Sequence, residues 1–196
     1  MVAQPSSTSS LNIFFTGFLI LLVAVLVESR RPPSNLRPSQ LFSCGNDRSI
    51  IQFAGGHIVN DPVALPSQTR VIFNVTLTKP LYTNLKMKMT LYKLEPFRMP
   101  VPCWSKFGSC TYNVCQLINK HKDVLCPSVN GERDCACPIP AGTYHDAQFD
   151  IALPRFMKLL AAILQGNYDG DLTFYNDDTK KIYGCVGMKI GVVARG

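Results

Sequence analysis

Eight cysteines, at positions 44, 103, 110, 115, 126, 135, 137 and 185, constrain this chain more than any other feature, and all of them follow an apolar N-terminal segment. That segment, LNIFFTGFLILLVAVLV from Leu11 to Val27, leads into Glu28 and Ser29, and Val27 and Ser29 stand where a small-residue cleavage signal sits. It reads as a secretory signal peptide over residues 1–29. An uncleaved anchor is the competing reading, drawn from the missing basic n-region and from Arg30 and Arg31 just after the run. Against it, the most apolar part, Phe14 to Val27, is only 14 residues long, nearer an export signal than a bilayer crossing. Removing residues 1–29 takes away Glu28 and no base, so the formal charge rises from +7 to +8.

An even set of cysteines behind an export signal points to disulfides rather than to metal or redox chemistry. Eight cysteines allow 105 connectivities. Cys135 and Cys137 are too close for an unstrained bridge to each other, and Cys103 and Cys110 bracket WSKFGS, a short loop that suits a local bridge. A zinc site at CAC would need a second close pair and nearby histidines, whereas His57, His121 and His145 are not at ligand spacing.

The rest of the chain reads as β. In VIFNVTLT, Val71, Phe73, Val75 and Leu77 fall on one face and Asn74, Thr76 and Thr78 on the other, with Ile72 the exception. Asn74 also opens the sequon NVT, on the face where a glycan has room. LKMKMTLYK alternates Leu85, Met87, Met89 and Leu91 with Lys86, Lys88, Thr90 and Tyr92; CVGMKIGVVA sets Val186, Met188, Ile190 and Val192 on one face. Pro and Gly punctuate the gaps at NDPVALPS, EPFRMPVP and PIPAGTY. Short strands at this spacing predict an all-β fold, an antiparallel sandwich or cup. The proline-rich RRPPSNLRPS makes residues 30–41 a flexible leader and residues 42–196 the domain.

Catalytic patterns are missing: no G-x-S-x-G elbow, no H-E-x-x-H, no phosphate-cradling glycine loop. Asp169, Asp171, Asp177 and Asp178 read as turn residues, and His145 as a surface histidine rather than a base. The bases are scattered instead of gathered on one face among aromatics, which argues against nucleic acid. No metal and no cofactor is implied. A binding module is left.

Four stretches then carry a resemblance. PCWSKFGSCTYNVC, CPSVNGERDCACPIPAGTY, QGNY and YGCVGMKIGV, in that order and spacing, resemble the ganglioside-activator type of the ML lipid-recognition superfamily, the cofactor of a lysosomal β-hexosaminidase. The resemblance runs over roughly residues 42 to 194. It implies the pairs Cys44–Cys185, Cys103–Cys110, Cys115–Cys137 and Cys126–Cys135, and a β-cup whose splayed sheets leave an apolar cavity for acyl chains. Val71, Phe73, Val75, Leu77, Leu85, Met87, Met89, Leu91, Val186, Met188 and Ile190 would line that cavity. It further implies a glycosphingolipid or phospholipid ligand, a soluble glycosidase as partner, and a place in the secretory pathway, the lysosomal lumen or outside the cell. A carrier or recognition protein without any enzyme partner is the alternative.

Phe156 to Leu164 holds eight apolar residues out of nine, too short a run for a bilayer crossing. By the resemblance, Arg155 to Gln165 is a mobile lip at the mouth of the cup, with Arg155, Phe156, Lys158, Leu159, Leu160, Ile163 and Leu164 facing an anionic membrane. A second lip falls at Phe97, Arg98 and Met99. The residues alone also allow a short buried helix, with Leu159, Leu160, Ile163 and Leu164 as one face. The chain's single Trp, Trp104, lies inside the small cysteine loop, away from both lips.

Overall fold

Alternation decides β5 (Leu85–Lys93): each second side chain, from Leu85 to Leu91, is turned from solvent, and the lysines between them are not buried. The structure is a computed structural model. It describes residues 35–104, 106–122, 126, 136–153, 155 and 157–194, with the side chains of Lys158, Leu159 and Ala162 excepted. The expected signal peptide lies outside these residues.

Among the described residues the chain forms ten strands and two short helices. The strands are β1 (Gln40–Ser43), β2 (Ile51–Ile58), β3 (Val63–Leu65), β4 (Ser67–Leu77), β5, β6 (Met99–Pro100), β7 (Thr111–Asn113), β8 (Gly142–Leu153), β9 (Gly166–Asn176) and β10 (Ile182–Ala194). One sheet joins them in the order β6-β5-β9-β10-β1-β2-β4-β8, with β7 on β5 and β3 on β10. All pairings are antiparallel except β3 with β10. The all-β expectation is met, and the sheet curls into a half-barrel.

The curl is visible in the packing. Leu85 of β5 shares a buried cluster with Leu77 of β4 and Ile51 of β2, strands that lie far apart in the sheet order. Helix α1 (Val114–Lys120), started by the Asn113 side chain accepting from the Gln116 amide, adds Ile118 to the same cluster. Leu81, Cys126 and Ile139 complete it, so this end of the curl is closed. At the other end a second cluster gathers Ile58, Val63 and Val71 with Leu41, Phe73, Phe149, Leu153, Ile190 and Val192. Those residues come from β1, β2, β3, β4, β8 and β10. Among the described residues this cluster takes in nothing from β5 or β9.

Between described residues three bridges form: Cys44–Cys185, Cys103–Cys110 and Cys115–Cys137. Cys126 is fully buried and disulfide-bonded; its expected partner Cys135 lies outside the described residues.

Two expectations need correction. The leader was set at 30–41, yet Gln40 and Leu41 already pair with Lys189 and Met188, and the Arg37 amide donates to Asn167 Oδ1 at 2.8 Å. Proline signals flexibility, but the backbone on either side of Pro38 finds partners, Arg37 on Asn167 and Gln40 on Lys189. Asp169 and Asp171 were read as turn residues; both lie inside β9, on the face opposite Tyr168 and Leu172. Asp177 and Asp178 do form the β9–β10 turn, where Asn176 Oδ1 accepts from the Asp178 and Thr179 amides.

Candidate functional site: the concave face and its mouth

Register places the alternating apolar residues on one concave face. On β4, Leu77, Val75, Phe73 and Val71 stand opposite Ile51, Phe53, Gly56 and Ile58 of β2. On β5, Met87, Met89 and Leu91 stand opposite Phe174, Leu172 and Gly170 of β9, which in turn face Gly184, Val186 and Met188 of β10. Ile190 follows, opposite Tyr168. All eleven expected lining residues therefore belong to one face.

On β4 and β5 their burial is deepest at the two ends of the set and least in the middle. Val71, Leu77, Leu85, Leu91, Val186 and Met188 are buried, whereas Phe73, Val75, Met87, Met89 and Ile190 are half-buried. Among the described residues neither core cluster takes in Met87, Met89 or Leu172. A long apolar side chain that points inward and still meets solvent is unusual in a close-packed interior. Methionine suits such a place, because its unbranched thioether adapts to an irregular neighbour.

Sequence reading missed part of this face. Phe53, Phe73 and Phe149 form an aromatic row across β2, β4 and β8, with ring centroids 6.4 Å and 5.9 Å apart, the second pair edge to face. The bulge between Phe53 and Gly55 breaks the alternation of β2 and hid Phe53. Leu172 and Phe174 were legible as a period of two, but Gly170 and the aspartates masked it. Two open recesses, of about 210 and 220 Å³, are lined by Val59, Asn60, Gln68, Arg70 and Asp150 and by Ser43, Asn46, Asp47, Gln52 and Phe53. Neither involves the β5 or β10 side chains.

The mouth is built from the chain that follows the upper ends of β2, β5 and β8. After β5, Phe97 is 66% exposed and Met99 is also exposed, while the Arg98 guanidinium sits 3.5 Å above the Tyr92 ring. After β8, Arg155 is exposed and Met157 is 78% exposed, and helix α2 (Lys158–Leu164) follows. The expected mobile lip is thus a seven-residue helix packed on β10. The imagined single buried face of Leu159, Leu160, Ile163 and Leu164 is corrected as well. Ala161 is buried and Leu160 and Leu164 are half-buried, but Ile163 is 59% exposed. Phe156 and the side chains of Lys158 and Leu159 lie outside the described residues.

A polar knot anchors the mouth. Asn167 is buried; its amide and Nδ2 donate to the two oxygens of Glu95 at 2.9 and 2.8 Å, and Nδ2 also donates to the Asn35 carbonyl. One side chain so ties the N-terminal segment, the β5–β6 loop and β9 together. Gly166 just before it has φ +137, and a Cβ there would stand 3.2 Å from Glu95 Oε2. Desolvation pushes the Glu95 carboxyl up, but the Asn167 hydrogen bonds and Lys93 outweigh it and hold it below the usual value. The Tyr168 hydroxyl donates to the Leu164 carbonyl at the end of α2, and burial together with Glu95 raises its pKa.

On the outer face Arg70 makes a two-pronged pair with Asp150, 2.7 and 3.0 Å, which lowers the Asp150 carboxyl. Asn74 is also on this face, its Oδ1 accepting from the Asp146 amide at 2.8 Å.

The sequence matches the ML domain over residues 39–192. No curated protein matches it. Among solved structures it is similar to a Niemann-Pick type C2 protein from Japanese carpenter ant, at 14% identity and TM-score 0.47, covering 78% of this chain and 98% of that one. The C-terminal domain of wzt is similar at 10% identity and TM-score 0.41, covering 85% and 84%. At these scores neither neighbour supports a residue-level correspondence. The family match spans most of the chain, and the protein belongs to the ML-domain family of lipid-recognition domains.

Proposed function

We propose that the protein is a non-enzymatic lipid-binding and lipid-transfer protein. It lifts a glycosphingolipid or phospholipid from an anionic membrane surface and, in the secretory pathway, the lysosomal lumen or outside the cell, offers the head group to a soluble glycosidase. One observation supports the lipid part: Met87, Met89 and Leu172 share the apolar face, are half-buried, and among the described residues join neither core cluster. Acyl chains lying there would add apolar neighbours. Phe97, Met99, Met157 and Ile163 would form the membrane-facing rim, with Arg98, Arg155 and Lys158 as the bases beside them. Asn74 is the proposed glycan site.

A second reading, a carrier with no enzyme partner, is favoured by the mouth's polar chemistry. Glu95 and Asn167 are paired with each other through both carboxylate oxygens. A sugar would find those groups already engaged.

Native mass spectrometry of the purified protein with lipid extraction should find a bound two-chain lipid. Transfer of a fluorescent glycolipid between vesicles should follow, and a glycosidase acting on vesicle-bound glycolipid should be stimulated. Protein that carries no lipid and transfers none overturns the proposal; transfer without stimulation selects the carrier.

A further inference from the structure

The Cys103–Cys110 hairpin belongs to neither rim element, yet a disulfide and several hydrogen bonds hold its described residues. Its disulfide closes a loop with a sequence separation of seven residues. Inside it, Trp104 and Phe107 exchange backbone hydrogen bonds, both 2.8 Å. The Tyr112 hydroxyl donates to the Lys106 carbonyl at 2.8 Å. Gly108, at φ +91, lies so close to Pro102 that a Cβ would stand 2.2 Å from its carbonyl oxygen. Ser109 braces the base against Leu91, its Oγ accepting from the Leu91 amide at 3.0 Å. This framework holds Trp104, the only tryptophan of the chain, 63% exposed.

The base of the hairpin fixes where it projects. Val101 and Ser109 bond to Leu91 and to each other, and Met99 pairs with Lys93, so the hairpin hangs from the mouth end of β5 in the same excursion as Phe97. We infer that the Cys103–Cys110 hairpin is a preformed anchor that seats Trp104 in the interface of an anionic bilayer when the mouth docks. This rests on the membrane-facing mouth proposed above. The occupant follows from the chemistry. A tryptophan ring settles at the head-group level, the exposed Lys106 beside it complements anionic lipid, and the chain as a whole is basic at +7. Phe97, Trp104 and Met157 are all largely exposed, at 66%, 63% and 78%. A rigid hairpin loses little conformational freedom on insertion.

The single tryptophan makes the test direct. The purified protein is mixed with phosphatidylcholine vesicles containing an anionic phospholipid, with sedimentation read alongside tryptophan emission and iodide quenching. Emission should move to shorter wavelength, iodide access should fall, and brominated acyl chains should quench the signal. Trp104→Ala should weaken vesicle partition about tenfold. Protein that sediments with unmoved emission overturns the hairpin anchor alone and leaves Trp104 to a protein partner. Protein that does not sediment at all overturns the membrane-facing mouth and the anchor with it.

Discussion

The two ends of the curled sheet handle apolar side chains in opposite ways. At the closed end, Leu85 is 1% exposed, and Ile51, Leu77, Ile118 and Cys126 pack around it from four different parts of the chain. At the mouth, Phe97, Met157 and Ile163 point outward although Ala161 and Val71, close by in the chain or the sheet, are buried. The closed end also exposes Tyr82 and Ile182, so exposure alone does not mark the mouth. What distinguishes the mouth is that its exposed residues border a half-buried apolar face whose Met87, Met89 and Leu172, among the described residues, join neither core cluster. Stability is concentrated at one end, and the surface that needs a partner is left at the other.

This division is open to breakage. The largest effect is expected from Cys44→Ser with Cys185→Ser, which frees a separation of 141 residues. The chain-entropy estimate is about 4 to 5 kcal/mol, read as a fall in the urea midpoint under non-oxidising conditions. An unchanged midpoint would mean that the closed end does not depend on this bridge. Leu85→Ala comes next, at about 2 to 5 kcal/mol from lost transfer energy and the cavity left behind. The surviving folded protein should still bind vesicles, and lost binding would show that the two ends are coupled.

A smaller effect is expected at the Glu95–Asn167 knot. The folded-state pKa of Glu95 lies below its ordinary value. Its contribution is therefore complete above the unfolded pKa and is lost only as pH falls through the depressed folded one. Amide exchange at residues 35–37 and 166–167 should stay slow from pH 7 to pH 5, once corrected for intrinsic rates, and rise only in stronger acid. Glu95→Gln should raise exchange across the whole range; opening near pH 6 in the native protein would contradict the sign. Least of all, Ile163→Ser should change stability by no more than about 0.5 kcal/mol, because that side chain already faces solvent. Its vesicle partition should weaken measurably. A loss above 2 kcal/mol in thermal unfolding would instead place Ile163 in the core.

The sequence by itself determined the β class, because a period of two in β4, β5 and β10 assigns each side chain to a face without reference to any partner strand. It also determined which residues make the concave face on those strands, since alternation survives wherever no bulge interrupts it. It could not give Phe53, hidden behind the bulge at Gly55, nor the start of the domain, because Gln40 and Leu41 are ordered by pairing with β10 rather than by any preference of their own. The fate of the FMKLLAAIL run was likewise decided only in three dimensions. A run that is apolar on nearly all sides carries little phase, so its packing on β10 rather than its own pattern accompanies a buried Ala161 and an exposed Ile163. Nor did the sequence say which end would close. That depended on Leu85 meeting Leu77 and Ile51 from strands far apart in the sheet order, and contact across the curl leaves no local pattern to read.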